Sequence, residues 1–442
     1  MDEKTDPLGR QRFGPFEMHR GVVRRGATVL RIPPKEMAVL GALVAAGGGI
    51  VGRTELIEAG WGRGSASDAS LARCIHSLRR ILECEDGSEI VQTMHGHGFR
   101  LAVPVERGAS GADSSNAATL RAGWQTSSQT AFERCLQSVE LMGHRVPSNL
   151  QLARRALLEA VALDPTYVGA WCRLADLEIL LGFLGQGSSA REPAGNARDA
   201  IDRALGYDRE HPLALMLDAF VEGALEGRPV RLDAFDAAAT TIAGTPGWRS
   251  KRAWLLAGAG ELDLALADLE LALRLAPLDQ STIFAHGYIL LCAGRAEDAV
   301  RYLRGVTEEY PMADGAWLAL AYVTGWLGYR AEAIQAGSYA AEIANGFPTV
   351  ATGLAYALAR AGDFQAASLV LRDMKHRADM HVSPTLLAAV HVAMGDIRTA
   401  VSLLDDAEAT WCPYRGVARF DPRLAAAWTT TLQREPRNLA LA

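Results

Sequence analysis

Arg73, His76, Ser77 and Arg80 recur at i, i+3, i+4 and i+7, with Arg79 beside them. In a helix that spacing gathers them on one face. Guanidinium and imidazole groups in such a row donate hydrogen bonds to phosphates and base edges, and the hydroxyl donates or accepts. The chemistry on offer is recognition of a polyanion. The same stretch, residues 68–82, carries Leu71, Ile75, Leu78 and Leu82 at helical spacing on the opposite face, a stripe that demands burial. Ser67 or Asp68 can cap its N-terminus by accepting the first free amide protons. An apolar back and a basic front also describe a solvated surface helix, so the elements around it decide between the two.

Upstream, three short apolar pieces broken by turn residues (13–18, 22–25 and 28–32) predict a small antiparallel sheet. Pro33-Pro34 then opens a helix over 36–46, with Met37, Leu40, Leu43 and Val44 on one face. The run Gly47-Gly-Gly-Ile-Val-Gly52 fits G-x-G-x-x-G, but it follows a helix rather than a buried strand, which makes it a connection and not a phosphate loop. A second helix over 53–59 and a glycine-rich loop over 60–64 lead into the basic helix. After it, 90–94 and 99–103 read as strands joined by His95-Gly96-His97-Gly98, a hairpin with permissive glycines. Residues 1–11 are expected to be disordered.

This order of sheet, helix, helix, loop, basic helix and hairpin resembles the OmpR/PhoB-type winged helix-turn-helix across 12–105. RTELIEAGWG is similar to that family's second helix, LARCIHSLRRIL to its recognition helix, and QTMHGHGFRL to its wing, which usually ends G-x-G-Y-R. The resemblance implies an α+β winged helix in which Arg73, His76, Ser77, Arg79 and Arg80 face the major groove or its phosphates. It implies too that Arg100 and the tip bearing His95 and His97 lie against a neighbouring phosphate or minor groove. The loop after the second helix, with Trp61, Gly62 and Arg63, is the family's implied contact with RNA polymerase. Family members often carry arginine at the positions of His76 and Ser77, and arginine or lysine at that of His97. Fewer permanent charges imply a weaker non-specific component of binding. The three histidines either titrate near neutrality, making binding pH-sensitive, or serve as uncharged hydrogen-bonders. No receiver domain is expected ahead of this module, and no membrane span after it.

Whole-chain composition fits that frame. At 442 residues, two or three domains are expected. The formal net charge of −6 is uneven: residues 1–107 carry 15 Lys+Arg against 13 Asp+Glu, and the remainder 30 against 38. A mildly positive amino-terminal part permits a polyanion partner without demanding one. Cys74, Cys84, Cys135, Cys172, Cys292 and Cys412 form no C-x-x-C pair, which suggests reduced, mostly buried thiols in a reducing compartment; the family resemblance implies that this is the bacterial cytoplasm. The uncharged run 37–52 has 16 residues including five glycines, short of the about 20 apolar residues a membrane helix needs.

Residues 106–128, rich in Gly, Ala, Ser and Thr, read as a flexible linker. Beyond it Gly-x-x-x-x-Ala recurs at Gly260, Gly294, Gly328, Gly362 and Gly395, spaced 34, 34, 34 and 33 residues apart. Prolines at 246, 277 and 311 fall on the same grid. Each unit reads as helix, glycine turn, helix, proline stop. This resembles the tetratricopeptide repeat, most regularly over 246–413, with about eight units from residue 130 and a capping helix near 424–432. On that grid Trp254, Tyr288, Tyr322 and Tyr356 occupy one equivalent site on successive first helices. In the tetratricopeptide family that site faces the concave groove, so the four rings either receive an extended peptide or elongated apolar ligand, or only stack between repeats. His376, Asp379 and His381 sit at a repeat junction in no metal spacing, and no catalytic triad, Walker loop or framed acid pair is found. No cofactor, metal or enzymatic activity is expected.

The expected molecule is thus multidomain, an α+β winged helix-turn-helix followed by an all-α tetratricopeptide superhelix (129–442). It resembles one-component regulators of the HilA type. That resemblance implies double-stranded promoter DNA, RNA polymerase and an effector on the repeats as partners, often with two copies on direct repeats. The alternative is an interaction scaffold with a degenerate winged helix, for which the modest charge of residues 1–107 speaks.

Overall fold

The computed structural model describes residues 11–434, apart from 20–21, 27, 31, 62–67, 84–88, 95–97, 108–125, 144–146, 188, 190, 229, 243–246, 345–346, 376–379 and 410. The chain divides into two units, one formed in the main by residues up to 120 and the other by those from 121 onward.

The first unit opens with a hairpin that divides the apolar piece 13–18. Gly14, at φ +58°, turns the chain back between β1 (Gln11–Phe13) and β2 (Phe16–His19), and Phe13 stacks on Phe16 at 5.6 Å. Strands β3 (Val22–Arg25) and β4 (Thr28–Leu30) continue the meander. Then come α1 (Pro34–Ala45), with proline at its first position, α2 (Arg53–Trp61) and α3 (Asp68–Ile81). The β5–β6 hairpin (Val91–Met94, Gly98–Leu101) follows, and β7 (Val105–Arg107) returns to pair with β1. The sheet order is β4-β3-β2-β1-β7, all antiparallel. Strand β7 runs two residues past the boundary read from sequence, held by its edge pairing with β1 and by Val105 packed against the core.

Leu40, Leu43, Leu56, Leu71 and Leu78 from the three helices meet Phe13 and Phe16 from the sheet in one core. Full burial of each such side chain contributes about 1.5–3 kcal/mol. The glycine run 47–52 is a connection leaving α1, pinned where Val51 and Phe99 exchange backbone hydrogen bonds of 2.8 and 3.0 Å.

The second unit is helical throughout. Sixteen of its described helices follow one another as eight pairs: α4 and α5 (Gln129–Gly143, Pro147–Leu163), α6 and α7 (Val168–Leu184, Arg191–Tyr207), α8 and α9 (Pro212–Phe220, Asp233–Ile242), α10 and α11 (Gly247–Ala259, Leu262–Leu275). Then follow α12 and α13 (Gln280–Cys292, Ala296–Glu309), α14 and α15 (Asp314–Leu327, Arg330–Ile343), α16 and α17 (Pro348–Ala361, Phe364–Lys375), α18 and α19 (Pro384–Ala393, Ile397–Ala409). The third pair is irregular, α8 running on as a π turn (Val221–Leu225). The grid glycines lie at φ +74° to +94°, each ending a first helix in the left-handed conformation that only glycine adopts without strain. The alanines five residues on are buried against the facing helix.

Two features were outside the repeat pattern. Gln186 and Met380 form a β-bridge, and His381 donates its amide to the Gly185 carbonyl at 2.9 Å, so the turn after α6 meets the chain entering α18. After α19 the chain continues through a short helix α20 (Arg415–Ala418), a 3-10 turn (Pro422–Leu424) and α21 (Ala425–Arg434). Helix α21 lies where the capping helix was expected, but the residues before it run inside the unit.

The bridge carries a pH dependence. Burial lowers the His381 pKa, opposed by the Gly187 carbonyl and by Glu192, and burial likewise lowers that of His286. The unfolded chain then binds these protons more readily than the folded one, so stability is complete above the ordinary histidine value and is lost as pH falls through it. The melting temperature should drop between pH 7.5 and pH 5.5, and His286→Asn with His381→Asn should flatten that slope. An unchanged slope in the double variant removes both groups as the cause.

Candidate nucleic-acid interface and repeat groove

Helix α3 buries Leu71, Cys74, Ile75, Leu78 and, just past its end, Leu82. Burial, reinforced by the Glu36 carboxylate, pushes the Cys74 thiol up to about 12, so this cysteine serves as a small apolar side chain. Arg73, His76 and Arg80 are exposed, and Ser77 is half-buried beside them. Among the described residues no ion pair or side-chain hydrogen bond ties down Arg73, His76 or Arg80.

Arg79 is placed differently. Its Nε donates to the Val91 carbonyl at 2.9 Å and its Nη2 to Thr93 Oγ1 at 2.7 Å, while Glu89 lies 3.0 Å from Nε. Two directed hydrogen bonds to β5 make Arg79 the strut that fixes α3 against the hairpin. Arg100 Nε donates to Gln92 Oε1 across the β5–β6 ladder at 2.9 Å, which leaves the rest of its half-buried guanidinium on the hairpin surface.

Gly98 explains the glycine in the wing motif. At φ +135°, its missing Cβ would stand 2.0 Å from the Val51 carbonyl oxygen. Gly98→Ala is expected to destabilise the first unit by at least about 1–3 kcal/mol and to weaken any DNA complex with it. Thermal unfolding followed by hydrogen exchange at 91–101 checks this, and unchanged protection there contradicts it.

Of the other expected interface residues, Trp61 ends α2, whereas Gly62, Arg63, His95, His97 and the possible cap Ser67 lie outside the described residues. His376 and Asp379 lie outside them too.

In the repeats, the structure does bring Trp254, Tyr288, Tyr322 and Tyr356 together. Trp254 and Tyr288 are 6.1 Å apart, Tyr322 and Tyr356 6.0 Å, and Phe284 fills the interval, 5.6 Å from Tyr288 and 6.3 Å from Tyr322. The rings do not stand open to solvent. Tyr288, Tyr322 and Tyr356 are 0–1% exposed because the chain's own segment after α19 covers them. Tyr414 meets Trp254 edge-on at 5.7 Å and donates to the Phe183 carbonyl. The Arg423 guanidinium lies 4.0 Å over Tyr322 and 5.3 and 5.2 Å from the Tyr288 and Tyr356 ring centres. Its counter-ion is Asp421, 2.6 Å away, and Tyr288 donates its hydroxyl to the same carboxylate at 2.8 Å. Burial, followed by the Asp421 carboxylate, raises the Tyr288 pKa, which keeps its phenol a neutral donor.

Asp421, Arg423 and Tyr414 were not singled out from sequence. The one signal was a charged pair inside the otherwise apolar or small-residue run Phe420-Asp-Pro-Arg-Leu-Ala.

Elsewhere in the second unit two buried carboxylates meet arginines: Glu178 with Arg154, Asp268 with Arg249 and Arg252. Among the described residues no group of three His, Cys, Asp or Glu is placed to hold a metal, and no helix is long and apolar enough to cross a membrane.

The meander, the three helices with a basic outer face on the third, and the hairpin together define a winged helix-turn-helix. Residues 27–101 match the family described as "Transcriptional regulatory protein, C terminal", and they form a DNA-binding domain of the OmpR/PhoB type. Among curated relatives, the Transcriptional regulator HilA of Salmonella typhimurium and that of Salmonella typhi are each 40% identical over 85 residues. Those residues are 19% of this chain and span only 15% of the length of each relative. Solved structures similar to the chain include yeast Tom70 (15% identity, TM-score 0.42, covering 72% of this chain and 67% of that one). Another is a tetratricopeptide repeat protein from Parabacteroides merdae (14% identity, TM-score 0.34, covering 67% and 100%). The repeat architecture here rests on the chain's own helix pairs and glycine grid.

Proposed function

We propose that this chain is a bacterial cytoplasmic transcription regulator whose winged helix reads double-stranded promoter DNA and whose repeats receive a partner protein or other effector. The observation that carries the reading is the division of labour on α3. Its apolar stripe is buried, Arg79 is spent on the hairpin, and Arg73, His76 and Arg80 remain exposed and unengaged among the described residues. A rigid helix with free donors on its outer face is what base-edge and phosphate contacts require. Ser77 stands beside them on α3, while Arg100, His95 and His97 are assigned to the wing and Trp61, Gly62 and Arg63 to a polymerase contact on family likeness. Binding by two copies on direct repeats and recruitment of RNA polymerase belong to the same proposal.

Genome-wide binding of the tagged protein tests it. Discrete sites upstream of genes, lost on replacing Arg73 and Arg80 together, support the regulator. Absence of discrete sites, with the repeats still capturing a protein, favours an interaction scaffold with a degenerate winged helix, the reading that the small charge excess of residues 1–107 supports.

A further inference from the structure

Residues 411–428 have the geometry of a ligand bound in the groove of their own repeats. They enter through Trp411, whose φ of +58° is a left-handed conformation strained for a tryptophan. Cys412 Sγ settles 3.2 Å from Ser383 Oγ and 3.4 Å from Thr385 Oγ1 on α18. Gly416 lies against Gly258 of α10 so closely that a Cβ on it would be 3.4 Å from the Gly258 Cα. Arg419 donates to the Gly258 carbonyl at 2.6 Å, and Asp421 and Arg423 then enter the tyrosine cage.

Three features separate this from an ordinary core contact. Both members of the buried ion pair, Asp421 and Arg423, belong to the segment, two residues apart, and both are 0% exposed. Among the described residues the cage supplies rings, hydroxyls and, beside them, the Cys292 thiol, which burial keeps neutral. When a buried pair spans two elements, withdrawing one strands the other charge. Here both charges leave together, and none of the three tyrosines around them is left holding a stranded charge. The segment also follows the last helix pair, so its departure breaks no backbone hydrogen bond within the eight pairs. Finally, the fit is incomplete: on the groove side the Tyr356 hydroxyl is buried with no hydrogen-bond partner among the described residues. A ligand that reached it would compete well.

We propose that residues 411–428 are a removable internal ligand, and that the groove beneath them takes a segment of a partner protein presenting a carboxylate and a guanidinium two residues apart. This rests on the reading of the repeats as the partner-receiving half and is independent of the DNA reading. A tethered segment competes at an effective concentration in the millimolar range, so the intact chain should bind such a peptide poorly until its own segment is weakened.

The probe is a fluorescent synthetic peptide of residues 411–428, titrated by anisotropy into the full chain and into full-chain Arg423→Ala. The expected result is binding to the variant at least tenfold tighter than to wild type, and none by a peptide with both Asp421 and Arg423 replaced by alanine. Failure of the folded variant to bind, or equal binding by both peptides, overturns the proposal. So does dimerisation of the variant with no peptide uptake, which assigns the groove to a second copy. Should Arg423→Ala not fold, hydrogen exchange on the wild-type chain decides. Amides of 415–428 should exchange at least tenfold faster than those of α12 and α14, and equal rates mean an integral core. Loss of DNA binding in any of these proteins leaves the peptide result standing.

Discussion

Asp421→Ala should detach the carboxy-terminal segment from the repeats while the eight helix pairs keep their helicity. The substitution leaves the Arg423 guanidinium buried among Tyr288, Tyr322 and Tyr356 with no counter-charge. Stranding a buried charge costs about 3–5 kcal/mol. The ring contacts of Arg423 exist with or without Asp421 and recover none of it. At about 1.4 kcal/mol per decade, docking of the segment weakens by roughly two to three and a half decades. The strained Trp411 turn relaxes when the segment leaves, which acts in the same direction. Asp421→Asn keeps an acceptor for the Tyr288 hydroxyl and should fall between alanine and wild type. Far-UV circular dichroism and hydrogen exchange by mass spectrometry read the two parts separately. Selective loss of protection at 415–428 is the expected result. A single cooperative melt of the whole unit, shifted down with no selective exchange, contradicts it and makes the segment part of one folding unit.

How much of this was legible in the sequence depends on how local the determinant is. The α3 stripe is written at i, i+3, i+4 and i+7, and burial of Leu71, Ile75 and Leu78 follows from that spacing alone. The glycine grid is legible for a similar reason, because a left-handed helix end has a residue preference that repeats every 34 positions. The four groove aromatics could be placed on one register for the same reason. What covers them could not. The hydrogen bond between Tyr288 and Asp421 joins residues 133 apart, and nothing periodic links the segment to the repeats. Arg79 shows the limit on a smaller scale. It stands beside Arg80 in sequence and differs from it only in what lies opposite, a strand carbonyl and a threonine on β5. The β1 and β7 strands are three residues each and carry no alternation long enough to read.

That difference between neighbouring arginines gives the second large effect, on DNA binding. Arg73 and Arg80 stand exposed on α3, so their replacement by alanine should leave the melting temperature unchanged within about 0.5 kcal/mol of stability. Each should weaken specific binding by about 1–3 kcal/mol where it meets a base, and relax specificity at that position only. Where it meets a phosphate, affinity drops on every sequence and the slope of log K against log salt flattens by about one unit. Arg79→Ala should behave otherwise. It removes two hydrogen bonds to β5, leaves the Val91 carbonyl and Thr93 hydroxyl short of a donor, and loosens the hairpin. Stability of the first unit should then drop by about 1–3 kcal/mol. Affinity should drop with it at all salt concentrations, the slope staying as in wild type, because no phosphate contact has been removed. Arg79→Lys keeps the charge but not the two-pronged geometry and should recover little. Salt-dependent anisotropy on a promoter fragment, run beside thermal melts of the same proteins, separates the three residues. If Arg79→Ala flattens the slope while melting like wild type, its guanidinium belongs to the interface and the strut assignment is wrong.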